Sequence, residues 1–316
     1  MSRPAYLSMD GTVVPYEDAT VHVLSTAFKY GITVYEGLRA YWQPEDGELY
    51  VFRVAEHFRR LARSAAIARV PVLPAVDVER EILDLIRANE SKEDLHIRVL
   101  FFVAADDGYP WSSEPTGRAV AAMPMGRFPG TDPGSDGVHV AISHWQRLRD
   151  ASSPPRAKVA ANYFNSRLAY VRAREDGYDD AVLLDGEGRV TEGPGYNIFL
   201  VRDGQIVTPP VTAGILEGVT RDSVIRLLAD VHGTAVVERP VDKTELYIAD
   251  EAFFCGSAKE IVPILSVDRT TLGEGQPGPV TRLVRETYGD VVRGRSPRYA
   301  SWLTPVYASD RLETSV

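Results

Sequence analysis

The sequence contains a single cysteine, Cys255, among 316 residues. An internal disulfide framework is therefore excluded, and a reducing compartment fits. Its setting, Ala252-Phe253-Phe254-Cys255, makes it a small buried hydrophobe rather than a reactive thiol. Long apolar runs are missing as well: nothing approaches the roughly 20 residues that a membrane span needs. Met1-Ser2-Arg3-Pro4 leads into mixed polar sequence without an apolar signal core, so the expectation is a cytoplasmic protein that does not touch a membrane. There is no basic run, and the formal net charge is -9, which argues against a nucleic-acid surface. A Gly-Lys dipeptide is absent, and with it a P-loop. No Gly-x-Ser-x-Gly elbow appears. The six histidines are His22, His57, His96, His139, His144 and His232. His139 and His144 would face opposite sides of one strand, so no metal site is expected, and only His96 remains a pocket candidate.

Periodicity organises what is present. Tyr6 to Val14 reads as a hairpin around Asp10-Gly11. Thr33 to Tyr41 alternates as a strand, with Tyr35, Gly37, Arg39 and Tyr41 on one face. That face suits a pocket wall or a solvated surface about equally. Val54 to Ala68 and Val78 to Asn89 carry helical stripes. Leu95 to Val103 is a strand with Arg98 at its centre, and an arginine there needs an anion. Ala105 to Gly117 is a polar loop able to cap a pocket. Glycine and proline crowd residues 126–137, the pattern of an interdomain linker. The expectation is a small α/β domain over 1–125 and a larger domain over 138–316. In the latter, Asn197–Arg202 and Gln205–Thr208 pair around Asp203-Gly204, and a helix spans Arg221–Val231 with Thr220 as its N-cap.

The chemistry concentrates between Arg156 and Asn197. Lys158 stands among small apolar residues, five places before Tyr163, and Glu192 precedes Gly193-Pro194-Gly195. A lysine in dry surroundings becomes a usable amine nucleophile, and a buried carboxylate needs a cationic partner. A pyridoxal-phosphate site requires both. Alone, Lys158 would be read as a surface lysine, as most are. The later motifs reverse that. Lys-x-x-x-Asn-Tyr, then Glu-Gly-x-Gly-x-Asn, then Gly218-Val219-Thr220-Arg221, in this order, resemble the fold type IV pyridoxal-phosphate enzymes, most of all the branched-chain amino-acid aminotransferases. The resemblance runs over nearly the whole chain.

The resemblance implies an α+β, two-domain fold and a transaminase with a ping-pong cycle. It makes Lys158 the catalytic residue and the cofactor's anchor. Glu192 would hold the ring nitrogen protonated, Tyr163 would bond the ring oxygen, and Leu216 would pack on the ring. The motif His-x-x-Arg-Leu, matched by His57 to Leu61, puts Arg60 rather than Arg59 on the cofactor phosphate, with Val219, Thr220 and Ser257. Tyr35, Arg98 and Phe128 would bound the substrate pocket, with main-chain N–H groups near Ala258 on the substrate carboxylate. The implied substrates are L-leucine, L-isoleucine and L-valine with 2-oxoglutarate, and the implied assembly is a homodimer or a multiple of one. His96, Val99 and Tyr196 depart from the usual branched-chain pattern. They keep open an (R)-selective amine or D-amino-acid transaminase, although the Arg-x-His pattern of the latter is missing: Leu100 stands two places after Arg98. An aminodeoxychorismate-type lyase is a third alternative.

Overall fold

The computed structural model describes residues 3–107, 109, 111–125 and 137–308. Nearly all of the expected linker, and Phe128 with it, lies outside the described residues. The chain divides into two compact units, and the division does not follow chain order. One unit takes Met1–Gly126, Ala157–Ala161 and Asp290–Val316; the other takes Arg127–Arg156 and Asn162–Gly289. The lysine segment follows the linker in sequence yet counts with the first unit, and main-chain bonding explains why. The Tyr35 N–H donates to the Lys158 carbonyl at 3.1 Å, and Val34 and Val159 form an antiparallel bridge.

The first unit opens with β1 (Tyr6–Met9) and β2 (Thr12–Pro15), the expected hairpin. Asp10 and Gly11 both have positive φ, 51° and 85°, as a tight hairpin turn demands. There follow α1 (Thr26–Tyr30), β3 (Thr33–Gln43), β4 (Glu48–Phe52), α2 (Val54–Ala68), α3 (Ala75–Ala88), β5 (Leu95–Val103) and β6 (Thr116–Pro124). The sheet is seven-stranded and antiparallel, in the order Leu303–Pro305, β4, β3, β5, β6, β1, β2. Val34 and Leu38 of β3 and Ile97, Val99 and Phe101 of β5 join Phe58 and Leu61 of α2 and Ile82 and Ile86 of α3 in one core. Burying each large apolar side chain is worth about 1.5–3 kcal/mol, so a one-residue slip of either strand would forfeit the core. The opposite face carries Tyr35, Gly37 and Arg39, paired across to Leu100, Arg98 and His96. It is not a solvated surface: Tyr35, Arg39 and His96 are 8%, 3% and 5% exposed.

Helix α2 buries more than its apolar stripe. Val54, Phe58, Leu61 and Ala65 are buried as the periodicity predicts, but so are His57, Arg60 and Ser64. Those three recur at i, i+3 and i+7, a second stripe beside the first.

The second unit contains β7 (Val138–Ile142), α4 (Tyr163–Glu175), β8 (Asp180–Val182), β9 (Asn197–Arg202), β10 (Gln205–Thr208), α5 (Val219–His232), β11 (Val236–Glu238), β12 (Glu251–Gly256), β13 (Glu260–Val267) and β14 (Thr270–Thr271), with α6 (Pro279–Val292) after them. Its sheet runs β11, β10, β9, β12, β13, β7, β8, and β14 pairs with β13. Pairing is parallel at β11–β10, β13–β7 and β7–β8 and antiparallel elsewhere. The β9–β10 hairpin falls where the sequence puts it. His144 lies beyond the end of β7, so its relation to His139 is not that of one strand. Among the described residues no group of three His, Cys, Asp or Glu could hold a metal, and no helix is long and apolar enough to cross a membrane.

Helix α5 corrects one expectation. It begins at Val219, and its N-cap is Gly218 in extended backbone, not Thr220. The cap position is closely approached: a Cβ at 218 would lie 2.0 Å from Asn197 Oδ1. Only glycine fits there, and Thr220 is drawn into the first turn, 2% exposed.

Candidate active site

In the first unit, the start of β3 positions the lysine segment. The Lys158 N–H donates to Ser64 Oγ on α2 at 3.0 Å, which gives the polar stripe of α2 one of its uses. Lys158 Nζ lies 4.6 Å from the centre of the Tyr35 ring, and the Arg98 guanidinium lies 5.5 Å from the same ring. Cations favour an aromatic face in this way. The structure thus brings together three of the residues singled out from sequence: Tyr35, Arg98 and Lys158. Among the described residues the Arg98 guanidinium has no carboxylate partner. His96 fits against Gly37, where a Cβ would stand 3.1 Å from its Nε2. Burial lowers the His96 pKa most, Arg98, Arg39 and Lys158 lower it further, and it comes to about 3. His96 is therefore neutral at pH 7, and this patch, rich in cations, is suited to an anion.

Arg60 is buried as well, but its guanidinium is already gripped. Nε and Nη2 donate to Glu36 at 2.7 Å each, and His57 Nδ1 lies 2.8 Å from the same carboxylate. Burial works against the charge on Glu36, but Arg60 and His57 overcome it and hold the carboxyl well below the usual carboxylate range. Burial also keeps His57 neutral against the pull of Glu36. Glu36 and His57 were not singled out from sequence, although a signal existed. Glu36 stands between Val34 and Leu38 on the apolar face of β3, and a carboxylate there must find a cation.

In the second unit, Glu192 is the centre. It is 3% exposed, and three groups converge on its carboxylate. Arg147 Nη2 lies 2.7 Å from Oε1, Asn197 Nδ2 donates to Oε2 at 3.0 Å, and the Leu216 N–H donates at 3.1 Å. Asn197 also donates to the Leu216 carbonyl at 3.0 Å, so Leu216 is fixed through its main chain. Arg147 was missed from sequence; it lies 45 residues before its partner and in no motif used above. Val219 and Thr220 form the first turn of α5, whose start has no side-chain cap. A helix start of this kind offers N–H groups to a phosphate. Tyr163 opens α4. Ser257 and Ala258 lie in the turn between β12 and β13. In the same turn, Lys259 Nζ meets Asp180 at 2.8 Å and stacks 4.4 Å over the Tyr196 ring. Tyr196 itself packs on Phe254. Burial and then the charge of Asp180 hold the Tyr196 phenol protonated far above its usual range.

The model of the family "Amino-transferase class IV" matches residues 33–267. A probable branched-chain-amino-acid aminotransferase of Aquifex aeolicus is 38% identical over 300 residues, which cover 94% of this chain and 96% of that protein. The crystal structure of the branched-chain amino acid aminotransferase of Thermobaculum terrenum in its PLP-form aligns with a TM-score of 0.89 and 41% identity, over 97% of this chain and 99% of that one. The branched-chain aminotransferase of Thermoproteus uzoniensis, crystallised with norvaline, aligns with a TM-score of 0.91 and 42% identity, over 96% and 100%.

Proposed function

The chain belongs to the class IV aminotransferases, and on that ground we propose that it is a pyridoxal-phosphate enzyme moving the amino group of L-leucine, L-isoleucine and L-valine to 2-oxoglutarate. The observation that carries this reading is the end-to-end likeness to enzymes named for branched-chain substrates, at about two identical residues in five. The residues present suit the cofactor. Lys158 offers the amine, Glu192 an anion steadied by a guanidinium, and α5 an uncapped start for the phosphate. When bound, pyridoxal phosphate supplies an electron sink for the charge left on the substrate carbon. Lys158 anchors it and carries the proton away from that carbon. Glu192 keeps the ring nitrogen protonated, Tyr163 bonds the ring oxygen, and Leu216 packs against the ring. Arg60, Val219, Thr220 and Ser257 hold the phosphate. The Ala258 N–H takes the substrate carboxylate. Tyr35 and Arg98 bound the side-chain pocket, where Arg98, without a carboxylate partner among the described residues, suits the second carboxylate of 2-oxoglutarate as readily as its aromatic neighbour suits an aliphatic chain.

The names of these relatives favour neither the (R)-amine, the D-amino-acid nor the lyase alternative. Half-reactions with a donor panel test the choice. L-leucine, L-isoleucine and L-valine should bleach the cofactor band fastest, with (R)-1-phenylethylamine detectable but slower. An (R)-amine or D-alanine that outruns L-leucine would overturn the assignment.

The homodimer is part of the same proposal. Val23, Leu24 and Phe28, in and just before α1, are 58%, 50% and 71% exposed, an apolar group that a second copy would cover. Sedimentation should give a dimer or a multiple of one, and an active monomer at working concentration would refute it. We place the enzyme in the cytoplasm. A single buried cysteine, with no disulfide framework, suits a reducing compartment.

A further inference from the structure

We infer that Arg147 is a positioning residue: it keeps the Glu192 carboxylate ionised and aimed, and so fixes the shared proton on the cofactor's ring nitrogen rather than on Glu192. The inference rests on the reading that Glu192 faces that nitrogen.

The pair is built in, not incidental. Both side chains are withdrawn from water, 8% and 4% exposed, and the contact is 2.7 Å. Their backbones are fastened to adjacent residues, Arg147 to Leu184 and Glu192 to Leu183. The Arg147 N–H donates to the Leu184 carbonyl at 2.8 Å, the Leu183 N–H to the Glu192 carbonyl at 2.9 Å, and the Thr191 N–H to the Leu183 carbonyl at 3.0 Å. Leu183 and Leu184 thus set the spacing of the two charges. Among the described residues Arg147 also leaves its buried Nε without a hydrogen-bond partner. A donor left unmet in the interior costs free energy, so the side chain is placed for its Nη2 contact at the expense of another.

The charge logic gives the direction. Asn197 Nδ2 and the Leu216 N–H, which also donate to Glu192, are neutral. With those alone, a buried carboxylate facing a protonated ring would lower its energy by taking the proton and leaving a neutral pair. A guanidinium at 2.7 Å stabilises the carboxylate far more than it disfavours the more distant ring cation, because Coulomb energy falls with distance. Arginine suits the task since it does not lose its own proton at any working pH.

The test uses the holoenzyme loaded with cofactor labelled with nitrogen-15 in the ring. Ring-nitrogen chemical shift, kcat and KM for L-leucine are measured in Arg147→Gln, Arg147→Lys, Glu192→Gln and the Arg147→Gln/Glu192→Gln double variant. For Arg147→Gln the expected shift is that of an unprotonated ring. Its kcat should fall on the order of 10–100-fold, the range seen when an outer partner of a ligating group is removed, with KM little changed. Arg147→Lys restores the charge and should restore the protonated ring. The double variant should be no slower than Glu192→Gln alone, because the arginine acts through the glutamate. A protonated ring in Arg147→Gln, or a double variant whose loss is the product of the two single losses, overturns the inference. Should Arg147→Gln fail to fold, an unprotonated ring in Arg147→Lys overturns it and a protonated one supports it. Failure of the underlying reading is separate and visible: Glu192→Gln would then keep a protonated ring and a near-normal kcat.

Discussion

On the proposed role of Lys158, Lys158→Ala should lower turnover by about 10⁴-fold or more, since general-base catalysis alone is worth up to that factor and the anchor would be lost with it. The variant should remain folded. What fastens this segment is main chain: the Lys158 N–H on Ser64, the Lys158 carbonyl on the Tyr35 N–H, and the Val34–Val159 bridge. Alanine keeps all three. The side chain lies over the Tyr35 ring, a contact worth roughly 0.5–1 kcal/mol where water reaches it. A large kinetic loss with an almost unchanged melting temperature is therefore the expected signature of chemistry, not of architecture. Reduction with borohydride followed by peptide mapping gives the decisive readout. Wild type should carry the reduced cofactor on the peptide containing Lys158, and the alanine variant should carry none. An adduct on a different lysine would remove Lys158 from its role.

What was legible in the sequence follows from which forces are local. The limits of α2 and β5 and of the β9–β10 hairpin come directly from apolar period and turn chemistry, because each depends on residues close in sequence. The groups that steady the site depend on distant partners and were not legible. Glu36 meets an arginine 24 residues away, and Glu192 meets one 45 residues before it. Nothing in the neighbourhood of Arg147 marks it as more than a charged residue after a strand. Thr220 failed as an N-cap for a similar reason. Its propensity was right, but the helix starts two residues earlier, behind Gly218, a position that Asn197, distant in sequence, approaches closely. The placement of 157–161 with the first unit is again a long-range bond, from Lys158 to β3, that no linker composition could announce.

The same dependence on distant partners makes Glu36 the most vulnerable structural residue near the candidate site. Glu36→Ala leaves the Arg60 guanidinium in the core without the carboxylate that takes two of its nitrogens, and breaking a buried pair from one side costs about 3–5 kcal/mol. If Arg60 holds the cofactor phosphate as proposed, cofactor affinity should fall with stability, because the clamp that fixes its guanidinium is lost. Glu36→Gln isolates the charge, since it nearly keeps the shape. The folded carboxyl is held far below its unfolded value of 4.5, so this group's stabilisation is complete above that pH and is lost as the pH falls beneath it. Each pH unit below 4.5 removes about 1.4 kcal/mol from wild type and nothing from the glutamine variant, as far as this group is concerned. The stability gap between the two proteins should thus be widest at pH 7 and narrow by about 2 kcal/mol between pH 5 and pH 3. Urea unfolding at those three pH values measures it. A gap that stayed constant on acidification would mean that position 36 matters for its shape and not for its charge, and the clamp on Arg60 would then be a neutral contact.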